Sequence, residues 1–204
     1  MVKLKLTMQT LAAVCLFSVA GVAAQGQFYK IHNADIAGSG IGQFTTVLNQ
    51  NSTVTPQTTD SFGGLFSLRE HPVSWAGVEL NYSFNKYTQT FVQTAAPAYT
   101  LRKQTEGHEA TAAYMFHPHF KHLQPFINVG GGAIDFMPRT GQDQWRITGL
   151  LEAGLDIPTS NPHFGFRLQG RTLVYRTPNY NNQSLATKSW SSTEEPTFGA
   201  YYRF

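Results

Sequence analysis

Six charged residues stand where a charge is costly. Glu79, Glu109, Arg146, Glu152, Arg167 and Arg171 each lie within an alternating segment, on the parity of its small and polar residues. A two-residue period puts such residues on one face of a strand. Carboxylates and guanidinium groups sharing one buried face are expected to pair, because an unpaired buried charge is strongly unfavourable. Their chemistry is therefore either a packed ion-pair network or, as an alternative, the charged lining of a narrow pore.

The other chemistry-bearing residues give weaker signals. "HPHFKH" sets His117, His119 and His122 at spacings that can bind zinc or copper. With no acidic or cysteine partner nearby, the stretch reads as a polar turn, and no metal or cofactor is expected. Chemistry on a lipid ester needs a nucleophile and a base within hydrogen-bond reach. His108 has the parity of the apolar face, but no serine or carboxylate is obviously placed beside it. No catalytic residue is assigned and no enzyme is expected. "GSGIG" lacks the lysine and following helix of a phosphate loop.

The elements that carry these residues are strands. "SWAGVELNYSFN" sets Ala76, Val78, Leu80, Tyr82 and Phe84 against Trp75, Gly77, Glu79, Asn81 and Ser83. Sustained alternation of this kind excludes a helix. "SFGGLFSLR", "HEATAAYMF", "PFINVGGGAIDF", "WRITGLLEAGLD" and "FRLQGRTLV" repeat it, with Ile127, Val129 and Ala133 assigned to the apolar face of the glycine-rich segment. A less regular first strand lies somewhere in 27–45. The last, "FGAYYRF", sets Phe198, Ala200, Tyr202 and Phe204 on one face. That makes eight strands.

Connections alternate in length. Segments 46–60, 86–106, 137–144 and 178–195 read as long polar loops, and "EHPV", "HPHFKHLQ" and "PTSNPH" as short proline-containing turns. An even strand number with alternating connections is the layout of an outer-membrane barrel, its short turns in the periplasm and its long loops outside. A soluble lipocalin-like barrel is also eight-stranded and exported, but buries its apolar face. Alternation alone does not say which face points inward.

The N-terminus bears on that choice. Lys3 and Lys5 precede the apolar run "LAAVCLFSVAGVAA", and small residues lead up to Gln25. This reads as a secretory signal peptide over residues 1–24, with cleavage after Ala24, leaving 25–204 as one barrel domain. The lone cysteine, Cys15, leaves with it, which removes disulfides and thiolate chemistry from the mature chain. Without Lys3 and Lys5, the 15 Lys and Arg of the chain fall to 13 against 12 Asp and Glu, so charge gives no nucleic-acid footprint. The export signal, the loop pattern and the terminal phenylalanine select the membrane barrel.

On these features, with "NVGGGAIDF" and the terminal "FGAYYRF", the chain resembles the small eight-stranded outer-membrane barrels of Gram-negative bacteria. These are the OmpA transmembrane-domain and OmpX-like group. The resemblance covers roughly 27–204. It implies an all-β, antiparallel, up-and-down transmembrane barrel behind a cleaved signal peptide. It also implies a C-terminal strand read by the barrel-assembly machinery through Phe198, Tyr202 and Phe204.

An eight-stranded barrel is just wide enough to be filled by side chains. The expectation is a monomeric, non-enzymatic barrel in contact with outer-membrane lipid and lipopolysaccharide, plugged by the charge network, with a structural or adhesion-like surface role. Tyr180 and Trp190, in or beside the long loop 178–195, are the candidate exposed aromatics. A narrow small-solute channel, as in the OmpW-like group, is the first alternative, and a lipid A-modifying enzyme the second. No nucleic-acid partner is expected.

Overall fold

The computed structural model describes residues 34–48, 54–93, 98–118, 120, 123–182, 185 and 189–204. The expected signal peptide, Cys15, His119 and His122 lie outside the described residues.

The elements are nine strands: β1 (Ala34–Leu48), β2 (Val54–Thr58), β3 (Ser61–Val73), β4 (Ala76–Gln93), β5 (Tyr99–Phe116), β6 (Gln124–Pro138), β7 (Gln144–Pro158), β8 (Phe164–Arg176) and β9 (Trp190–Arg203). Eight of them close a ring. From β3 to β9 each pairs antiparallel with the next, and β1 bridges β3 and β9. The closing ladder runs from Asp35↔Arg203 to Leu48↔Trp190. Closure leaves no open edge, as a bilayer requires.

The ninth element comes from a break in the second barrel strand. β2 pairs with the far end of β4, Val54↔Gln93 to Thr58↔Gln89. β3 pairs with its nearer part, starting at Gly63↔Asn85. The ladder gains one residue on the β2–β3 side around Thr59 and Asp60, as at a bulge.

Expected loops turn out to contain strand, and β9 already begins at Trp190 within 178–195. The β4–β5 ladder continues from Lys86↔Glu106 to Gln93↔Tyr99, so most of 86–106 is a projecting hairpin. Its residues are good strand formers such as Thr, Tyr, Val and Phe. Their alternation fades because a sheet beyond the bilayer no longer has one face in lipid. Within 46–60, β2 joins this hairpin as a third strand. At the other end, "EHPV" is not a turn: β3 runs through Val73, and Ser74–Trp75 make the reversal.

Burial decides which face points inward. Phe62 is 87 %, Tyr114 80 % and Ile147 85 % exposed, whereas Arg69, Glu79 and Arg167 are 0 % exposed. The apolar parity faces out on every ring strand, giving a continuous belt far larger than the apolar patches of water-soluble proteins. Together with a closed ring this is a membrane-spanning barrel. Glycines let the narrow interior close. A Cβ on Gly132 would collide with the Ala110 carbonyl oxygen and lie 2.7 Å from the Thr111 Cα.

The interior has two layers. Towards the short-turn end it is charged. Towards the loop end, Ile134, Phe136, Leu150, Leu173 and Tyr175 turn inward and meet Val54, Phe91, Tyr180 and Leu185. Sequence reading did not anticipate this apolar plug. It also corrects the placement of Tyr180 as an exposed loop aromatic: Tyr180 is buried, and its hydroxyl bonds Thr105 Oγ1 at 3.0 Å and Gln89 Oε1. Burial pushes its phenol well above the ordinary value. Trp190 is partly exposed on the outer side of β9.

Candidate functional site

The charged layer is built by register. Arg69 stands opposite Glu79 and Asp35, Arg167 opposite Asp156, and Arg171 opposite Glu152 and Glu195. Side chains opposite one another on adjacent strands share a face, so opposite charges meet across the ladder.

Pairing then extends across the lumen. Arg69 bonds Glu79 through Nε, Glu152 through Nη2 at 3.2 Å, and Asp156 through Nη1 at 3.5 Å. Its guanidinium lies 3.9 Å from the ring centroid of Phe126, a cation–π contact. Arg167 reaches Asp156 through Nε at 2.7 Å and Asp35 through Nη2 at 2.9 Å. Arg171 bonds Glu195 and Glu109 and lies 3.4 Å from Glu152 Oε2. Glu152 thus links the Arg69 and Arg171 groups.

Six carboxylates here face three buried arginines; Arg203 stands 3.9 Å from Asp156 and 4.0 Å from Asp35, and neutral donors add to these. Asn128 Nδ2 donates to Glu79 at 2.8 Å and Glu152 at 3.1 Å. Ser83 and Thr111 donate to Glu109, and Gln43 to Glu195 at 3.0 Å. Bidentate arginines and full desolvation make these strong, directional contacts. The network lies buried inside the barrel.

Of the sequence candidates, Glu79, Glu109, Glu152, Arg167 and Arg171 come together in this layer. Arg146 does not. Its Nη2 donates to Asn179 Oδ1 at 3.2 Å, near the loops. Four members were missed: Asp35, Arg69, Asp156 and Glu195. Arg69 and Asp156 share the polar parity of their segments but lie towards the strand ends. Asp35 sits in the irregular first strand, and Glu195 in a segment read as loop.

Two further polar groups flank the network. At the short-turn end, His71 Nε2 is 3.0 Å from Asp35 Oδ2 and its Nδ1 is 2.9 Å from His117 Nε2. His71 and His117 border a cavity of about 140 Å³ with Ser74, Gln124 and Arg203, room for about four or five waters. His117 of the "HPHFKH" stretch is therefore a partner of His71. Among the described residues, no three His, Cys, Asp or Glu side chains converge as a metal set. At the outer rim, His108 does have a carboxylate beside it: Asp135 is its direct partner in the β5–β6 register. The sequence hides this, because the two residues meet only once β5 and β6 are aligned.

The terminal strand presents Phe198, Tyr202 and Phe204 outward. Phe198 stacks on Phe166 of β8 at 6.0 Å, and the Phe204 amide donates to the Ala34 carbonyl at 2.9 Å, tying the last residue to β1.

No protein-family model matches the sequence, and no curated protein does. Solved structures do. The outer membrane protein OprG from Pseudomonas aeruginosa matches with a TM-score of 0.55 at 14% identity, over 86% of this chain and 97% of that one. Neisserial surface protein A, from Neisseria, matches with a TM-score of 0.57 at 10% identity, over 84% of this chain and 97% of that one. At these identities the likeness concerns the fold. The closed ring, the apolar belt and these matches agree: the chain has the fold of the small eight-stranded outer-membrane β-barrels.

Proposed function

We propose that this chain is a non-enzymatic barrel of a Gram-negative outer membrane, exported through its N-terminal signal peptide, with a structural or surface-interaction role. The observation that carries this reading is the double plug. A charged layer around Arg69, Arg167 and Arg171 and an apolar layer around Leu150, Leu173 and Tyr180 both occupy the lumen. A blocked interior leaves the outside for function. The projecting sheet of β2, β4 and β5 offers an exposed surface beyond the belt, in keeping with an adhesion-like role. The outward aromatics of β9 suit recognition by the barrel-assembly machinery, and the belt suits outer-membrane lipid.

The competing reading is a narrow solute channel, favoured by the cavity at the short-turn mouth. Single-channel conductance of the mature chain in a planar bilayer separates the two. A silent, demonstrably inserted barrel supports the plug. Discrete openings altered by Glu79→Gln or Arg171→Gln would replace it with the channel. An enzyme acting on lipid A would need a nucleophile beside His108. In the register the outward neighbours there are Phe84, Glu106, Ala110 and Asp135, with Tyr82 below, and none is a serine or threonine.

A further inference from the structure

At the short-turn mouth the charged layer ends in a pair of histidines. Asp35 Oδ2 is 3.0 Å from His71 Nε2, and His71 Nδ1 is 2.9 Å from His117 Nε2. The carboxylate needs a proton on Nε2, so neutral His71 keeps its lone pair on Nδ1, towards His117. A carboxylate on the far nitrogen is the usual second partner of a metal-binding histidine. β4 runs between the strands that lead to the two rings. Its inward residue at that level, opposite Met115, is Gly77, and with no side chain there the rings meet across it.

The rings do not meet head-on. Their centroids are 4.5 Å apart and their planes stand at 87°. A straight N–H···N contact of about 2.9 Å would set the centroids about 5 Å apart. An ion about 2.0 Å from both nitrogens, with about 90° between the bonds, gives nitrogens about 2.8 Å and centroids about 4.4 Å apart. That is the spacing of neighbouring ligands in a tetragonal site, whereas tetrahedral zinc needs nitrogens about 3.3 Å apart. The remaining positions open onto the 140 Å³ cavity, which is bordered by exposed Val73 and Ser74. Charge also admits a cation. The six carboxylates of the network outnumber its guanidinium groups, Arg203 included, by two. Arg69 and Arg203 border the cavity too, but Arg69 is turned to Glu79 and Glu152, and Arg203 lies within 4.0 Å of Asp35 and Asp156.

We propose that His71 Nδ1 and His117 Nε2 bind a copper(II) ion at this mouth, with waters of the cavity completing its shell. Asp35 is a positioning residue that holds the His71 tautomer. The ion takes the place of the proton between the rings, which passes to Nδ1 of His117. Copper(II) stands highest among the divalent first-row ions in affinity for nitrogen and oxygen donors, and two imidazoles at a right angle suit it. Short turns of such barrels face the periplasm, so the ion arrives from that compartment. The site lies at the end of the barrel opposite the surface loops, and it stands whatever those loops bind.

Electron paramagnetic resonance of the mature barrel in non-ionic detergent, titrated with copper(II) chloride, tests it. One equivalent is expected to give a tetragonal signal split by two imidazole nitrogens, with affinity read in parallel by calorimetry. His71→Gln and His117→Gln should each leave one nitrogen and weaken binding at least about tenfold. Asp35→Asn should weaken binding about tenfold yet keep the two-nitrogen signal, as expected of an outer partner that only orients its histidine. The double variant His119→Gln, His122→Gln and the single variant His163→Gln should bind as the unaltered barrel does. Heat-modifiable gel migration shows that each variant is folded. Absence of a two-nitrogen signal from the unaltered barrel overturns the proposal, whether or not the variants fold. So does a signal that survives His71→Gln, or one lost with His119 and His122, since the ion then sits elsewhere. Zinc chloride bound as tightly as copper(II) chloride overturns the tetragonal assignment.

Discussion

Arg171→Met is the sharpest test of the charge network. The substitution keeps a long unbranched side chain and removes the only guanidinium that bonds both Glu109 and Glu195. It also removes the positive charge 3.4 Å from Glu152. Glu109 keeps Ser83 and Thr111 as donors, and Glu195 keeps Gln43, but no cation replaces Arg171 beside either. Removing one partner of a buried ion pair costs about 3–5 kcal/mol, because the remaining charge stays desolvated. That range is the expected loss. The assay is urea unfolding of the refolded barrel in phospholipid vesicles, followed by tryptophan emission; Trp75, Trp145 and Trp190 are all on the exposed side and report insertion. The triple variant Arg171→Met, Glu109→Gln, Glu195→Gln should recover most of the loss, since neutral amides no longer require a cation. A single variant that loses less than about 1 kcal/mol, or a triple variant no more stable than the single, would refute the claim that these charges are held by one another.

Other expectations follow from the same structure. Gly132→Ala should prevent refolding or destabilise by about 1–3 kcal/mol, because its Cβ meets the Ala110 carbonyl, whereas Gly64→Ala, with no atom within 4 Å, should be close to neutral by the same unfolding assay. Tyr180 has a folded pKa raised by burial, so its stabilisation is complete below the unfolded value of about 10 and is lost as pH rises towards the folded one. The urea midpoint should therefore fall as pH rises above about 10, and Tyr180→Phe should flatten that fall. Deleting Phe204 should lower the assembled fraction in cells, scored by heat-modifiable migration, while refolding into detergent in vitro is retained; equal assembly would remove Phe204 from the recognition signal.

Much of the barrel was legible because alternation is local. Val78, Leu80 and Tyr82 against Glu79, Asn81 and Ser83 announce a strand whatever surrounds them. The same period put Glu79, Glu109, Glu152, Arg167 and Arg171 on one face. It was weaker where both faces are buried or both are wet. In "ITGLLEAGL" two leucines, Leu150 and Leu151, are adjacent on opposite faces, so the inward turn of Leu150, and with it the apolar plug, had no signature. In "KYTQTFVQ" the bilayer no longer sorts the faces, and a hairpin read as a loop.

By itself, then, the sequence determined most of the strands and their two faces, both properties of neighbouring residues. Tertiary structure alone decided which face is inside and which charges meet. Arg167 finds Asp35 132 residues away, and Gln43 finds Glu195 152 residues away. His108 meets Asp135 only through the β5–β6 register. Such meetings depend on register and ring closure, and these are set by packing across strands that no local period encodes.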